Sequence, residues 1–119
     1  MSFRQYINPR VVCRDGFSMS VQARDGAYCS PPINGAESYT LVEVGFPTEE
    51  CSILREYAED QSALIVDGEV NTVYPYIPVE LVRQVIANHG GMTSGRCPAG
   101  VNPAQAAPID FFETLGFVD

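Results

Sequence analysis

Residues 12–31 read VCRDGFSMSVQARDGAYCSP and contain Arg-Asp-Gly twice, ten residues apart. The order is not that of an adhesion tripeptide, and the echo does not return a third time, which weakens a repeat reading because solenoids need several longer units. Asp15-Gly16 and Asp25-Gly26 are instead hairpin dipeptides, because both residues tolerate positive φ in the turn that matches strand twist. Between them Phe17, Met19, Val21 and Ala23 alternate with Ser18, Ser20 and Gln22, the period of a half-buried strand. Two-residue loops at both tips predict a three-stranded meander over 11–30. Val12 then faces Met19, Arg14 faces Phe17 and Ala23 faces Tyr28. That register puts Cys13 and Cys29 on the opposite face, about 9–10 Å apart across the middle strand. This exceeds the ~7 Å Cα limit of a disulfide.

The same signals continue outward. Tyr39–Phe46 reads as a strand with Val42, Val44 and Phe46 on one side. Thr48 followed by Glu49 and Glu50 predicts a capped helix ending near Ala58. Ala63-Leu64-Ile65-Val66, Asp67-Gly68 and Val70–Tyr74 form a second hairpin, with Pro75 at its end or on an edge. From Pro78 to His89 the apolar residues recur at helical spacing, and Gly90-Gly91 ends the run. Beyond Met92 the composition is that of a linker. A capped aromatic turn, Asp110-Phe111-Phe112-Glu113, follows it. The expected fold is α+β: an antiparallel β-sheet of about five or six strands with one main α-helix on one face and a short C-terminal helix. The domain is drawn over 1–91 and the Pro/Ala/Gly-rich tail over 92–119.

At 119 residues the chain supports one core. No run reaches the ~18–20 apolar residues of a membrane span, and the first residues lack the apolar stretch of a secretory signal. A cytoplasmic location with reduced thiols is expected. The four cysteines are not arranged in Cys-x-x-Cys pairs and there is one His, so no metal and no cofactor is expected. No phosphate-binding, hydrolase or metalloprotease signature is present. Cys29 with His89 is the minimal thiol pair, but nothing in the sequence brings the two together. No catalytic residue is assigned, and the chain is not expected to be an enzyme.

Charge is uneven. Residues 37–69 hold nine acids and only Arg55, while residues 1–36 carry four Arg and two Asp; there is no lysine anywhere. A basic stripe for direct nucleic acid binding is missing. An acidic band suits a basic protein surface instead. Its candidate contact residues are Glu43, Glu49, Glu50, Glu56, Glu59 and Asp60, with Tyr39, Tyr57 or Phe111 as aromatic anchor.

Taken in order, Asp-Gly-Phe-Ser-Met-Ser-Val-Gln-Ala, Tyr-Cys-Ser-Pro, Val-Glu-Val-Gly-Phe-Pro and Val-Tyr-Pro-Tyr-Ile-Pro-Val-Glu-Leu-Val…His-Gly-Gly carry a resemblance. Over residues 11–91 the chain resembles small accessory proteins of tailed bacteriophages and prophages. The resemblance implies a viral protein in the host bacterial cytoplasm. By analogy it implies stoichiometric capture of a host protein, as an inhibitor of CRISPR or another defence system. A second expectation is a sponge for a small nucleotide signal. It would use Arg14, Arg24, Arg83 and Arg96 with Tyr28, in a pocket between copies of the chain as a homo-oligomer. A third is a minor virion or assembly component.

Overall fold

The computed structural model describes residues 6–107. Strands β1 (Val11–Cys13), β2 (Ser18–Gln22), β3 (Leu41–Gly45), β6 (Val73–Pro78) and β7 (Met92–Ser94) form one sheet in the order β6-β3-β2-β1-β7. Every strand pairing in it is antiparallel. Between β3 and β6 the chain makes a short 3-10 helix (Ser52–Tyr57) and a separate two-stranded hairpin, β4 (Ile65–Val66) and β5 (Glu69–Val70). Helix α1 (Val79–Asn88) follows β6. The α+β class is as expected, and the short C-terminal helix expected from Asp110 falls outside the described residues.

The first hairpin is offset by one residue from its expected register. Val11, not Val12, pairs with Met19, and Val12 pairs with Ser18. Cys13 N–H donates to Phe17 O (2.8 Å) and Gly16 N–H to Cys13 O (3.0 Å), so the loop is Arg14-Asp15-Gly16 rather than Asp-Gly alone. Gly16 takes φ 95°, the left-handed position that closes three-residue hairpins. Because side chains alternate with period two, one residue of slip exchanges the faces. Val11 and Cys13 therefore enter the core beside Phe17, Met19 and Val21.

The second Asp-Gly is a turn but not a hairpin tip. Ala27 N–H closes it on Arg24 O (3.0 Å). However, β2 takes β3 as its second neighbour, with Val21 opposite Val44 and Gln22 opposite Glu43. Residues 27–30 contribute one bridge, Ser30 to Leu41. The reason is local. Pro31 and Pro32 cannot donate to a ladder, whereas Val42 and Val44 supply an alternating inner face. Tyr28, expected inside, stands exposed.

The helix expected from Thr48 is also different. Thr48 Oγ1 accepts Ser18 N–H (3.0 Å), and its own N–H donates to Ser18 O (3.0 Å). With the cap bound to the sheet, the chain winds only as a 3-10 helix from Ser52, pinned by fully buried Leu54. In contrast, α1 follows its periodicity. Val79, Val82, Val85 and Ile86 are buried. Gly91 N–H donates to Ile86 O (3.0 Å), closing the helix end. Pro75 lies in β6, an edge strand, where its missing donor costs no ladder bond.

The boundary expected after residue 91 falls inside the sheet. Strand β7 pairs with β1, Val12 opposite Ser94 and Cys13 opposite Met92. Farther on, Tyr39 N–H donates to Ala99 O (2.8 Å), and Ala106 N–H to Met92 O (2.9 Å). Val101 is fully buried. Backbone hydrogen bonds and the buried side chains of Met92 and Val101 hold 92–107 down, which a count of large apolar residues does not register.

Candidate partner-binding surface

The excursion between β3 and β6 carries most of the acidic band. Glu49, Glu50, Glu56, Glu59 and Asp60 are all exposed. Glu50 pairs with Arg55 at 2.6 Å, a surface ion pair between two largely exposed side chains that contributes little to stability. Hydrogen bonds from the Ser62 hydroxyl and N–H hold the Asp60 carboxyl below the usual carboxylate range. Tyr57 is half-buried against the core rather than free as an anchor. Tyr39 is 4% exposed, its hydroxyl donating to Ile33 O (2.6 Å), so it is a core residue. Phe111 lies outside the described residues. Glu43 stands apart from the excursion, on β3, where Oε1 accepts Tyr28 N–H (2.9 Å).

The same excursion holds apolar surface that the sequence does not single out. Its hairpin is tied down on one side only. Val70 N–H donates to Pro47 O (2.7 Å), Val70 is buried, and Arg10 reaches Glu69 at 3.3 Å. Strand β4 faces away. Leu64 is 76% exposed, Ile65 61% and Val66 50%. Three consecutive aliphatic side chains in water are a cost that isolated exposed residues do not carry, and such patches mark contact sites. No signal in the sequence separates this run from a buried strand, because a continuous apolar stretch reads the same either way.

The arginines of the ligand alternative sit on separate elements as struts. Arg14 Nη1 donates to Ala107 O (3.3 Å) from the β1–β2 loop. Arg83 Nη1 donates to Val101 O (3.1 Å) from α1, and Arg96 Nε to Asn8 Oδ1 (2.7 Å). A hollow of about 300 Å³ brings Arg96 together with Tyr6 and Tyr39, but neither Arg14 nor Arg83 lines it. Arg24 offers its carbonyl to the Cys29 thiol (3.4 Å).

His89 ends α1 against the first hairpin. Its ring stacks on Phe17, centroids 3.9 Å apart and planes nearly parallel at 7°. Nδ1 lies 2.7 Å from Asp15 Oδ2. The ring also lines a cleft of about 150 Å³ with Glu49, Glu50, Cys51 and Ser52. The Cys29 thiol bonds the carbonyls of Arg24 and Pro31. Cys51 is the thiol at the cleft, and burial together with the Glu49 charge pushes it up to about 11, away from the thiolate a nucleophile needs.

Among the described residues, no group of three His, Cys, Asp or Glu side chains is placed to hold a metal ion. Among them, too, no helix is long and apolar enough to cross a membrane. Comparison with known proteins finds no family model, no curated protein and no solved structure that matches this chain.

Proposed function

We propose that this chain is a stoichiometric binding protein that presents the 49–69 excursion to a basic, partly apolar protein surface. The observation that carries the reading is the exposed Leu64-Ile65-Val66 run, which lies in the chain between the exposed acids Asp60 and Asp67. The acids supply attraction and orientation at long range, and the aliphatic tip supplies buried area on contact. Two copies of this face would repel each other, which favours an unlike, positively charged partner. Following the resemblance to phage accessory proteins, the partner belongs to the bacterial host, and a defence protein is the reading that fits an inhibitor.

The test is quantitative capture from bacterial lysate at low and high salt. Wild-type bait is compared with bait reversed in charge at Glu49, Glu50 and Glu56. The reading expects a partner whose recovery falls with both salt and charge reversal. Tight capture indifferent to both overturns it.

A further inference from the structure

A second exposed cluster lies on the sheet, and its chemistry is more specific than that of the hairpin. Tyr28 and Tyr76 are 43% and 50% exposed, with ring centroids 5.7 Å apart and planes tilted by 51°. Tyr28 links the parts: its N–H donates to Glu43 Oε1 (2.9 Å), and its carbonyl accepts Tyr76 N–H (3.2 Å). Tyr76 takes φ 55°, within β6 where the pairing with β3 slips between Val42 and Val44. A bulky aromatic residue in the left-handed region is strained, and surrounding structure must hold it there. The effect is to keep a large ring in water beside a second ring and a fixed carboxylate, where packing alone would bury both rings.

We propose that Tyr28, Tyr76 and Glu43 receive an arginine side chain of a protein partner. This deepens the reading above by naming the residue type recognised, and it rests on the partner being basic. A guanidinium is flat, weakly hydrated and always charged, so it stacks on an aromatic face while donating to a carboxylate. Tilted rings next to Glu43 offer both interactions. The local field agrees. At the neighbouring Cys29 thiol, burial raises the pKa and the Glu43 charge acts in the same direction. Lysine, a compact and strongly hydrated charge, gains less from the rings.

The experiment needs no partner. N-acetylarginine amide is titrated into the ¹⁵N-labelled full chain, and the amide signals of Tyr28 and Tyr76 are followed. N-acetylcitrulline amide, which is planar and isosteric but neutral, and N-acetyllysine amide (free side-chain amine) serve as comparisons. The proposal expects saturable shifts at both amides with arginine, about tenfold weaker binding for lysine, and none for citrulline. Glu43→Gln and Tyr76→Asn should each abolish the arginine response. Asn is chosen because it tolerates positive φ without the ring. Equal responses to arginine and citrulline overturn the proposal, as does an arginine response retained in either folded variant. If a variant fails to fold, the comparison of the three ligands on the wild type decides. Hairpin variants such as Leu64→Ser should leave these shifts unchanged, so failure here is distinct from failure of the reading above.

Discussion

His89 Nδ1 and Asp15 Oδ2 meet at 2.7 Å and so join the C-terminal end of α1 to the β1–β2 loop, 74 residues away in sequence. The bond places the helix end, the hairpin tip and the stacked Phe17 ring in one assembly. It also links stability to pH. Hydrogen bonds from His89 and from Phe17 N–H hold the Asp15 carboxyl below its ordinary value. A carboxyl depressed in the folded state stabilises the fold above its unfolded pKa of ~3.9, and that contribution is lost as pH falls through the folded value. Asp15→Asn keeps an acceptor for Phe17 N–H and removes the charge. The variant should show a lower urea midpoint than wild type at pH 7, with the gap closing toward pH 3. Asp60 shifts in the same direction, but it is common to both proteins and cancels in the difference. An unchanged gap at the two pH values contradicts the account of this contact.

The thiols should be slow. Burial pushes Cys13 and Cys51 up to about 11 and Cys97 up to about 12, from an ordinary 9.0. Burial raises Cys29 as well. At pH 8 the first two then carry about 100-fold less thiolate than an unshifted cysteine, so iodoacetamide should label the native chain slowly and the urea-unfolded chain fast. One native thiol reacting at the unfolded rate would reopen the case for a reactive cysteine.

Two glycines separate backbone strain from a steric clash. At Gly16 the φ is 95° and an added Cβ meets no atom within 4 Å. Gly16→Ala should therefore cost only the left-handed penalty, ~1–2 kcal/mol. At Gly95 the φ is 97° and the Cβ would stand 2.1 Å from Arg10 O, a backbone atom. Gly95→Ala should cost more than Gly16→Ala, because β1 or β7 must shift. Chemical denaturation of both variants checks this. A Gly95→Ala chain as stable as wild type would mean that β7 does not belong to the sheet.

These contacts show which parts of the fold are legible in sequence. Helix α1 is, because Val82, Val85 and Ile86 repeat at the helical period and Gly90-Gly91 stops the run. The Asp-Gly turns are legible as turns, but their loop length is not. Whether Gly16 closes a loop of two or three residues depends on the partner of Cys13 N–H. Non-local choices are hidden as well. Nothing near Val21 announces that Val44, rather than residues 27–30, will lie beside it. At the candidate surface the charge is legible, since it is composition, and exposure is not. Leu64-Ile65-Val66 reads like any inner strand, and the positive φ of Tyr76 leaves no mark in the residues around it.

The hairpin bears the central claim and is tested most directly by Leu64→Ser and Ile65→Ser together. Both side chains are exposed, so the melting of the chain should hold within about 0.5 kcal/mol of wild type, as for other surface changes. Affinity for the partner captured at low salt is then measured against wild type, with an exposed substitution outside the excursion, Glu80→Gln, as control. The account predicts at least about a tenfold loss of affinity for the double variant and none for the control. Unchanged affinity in a double variant that melts like wild type would contradict it.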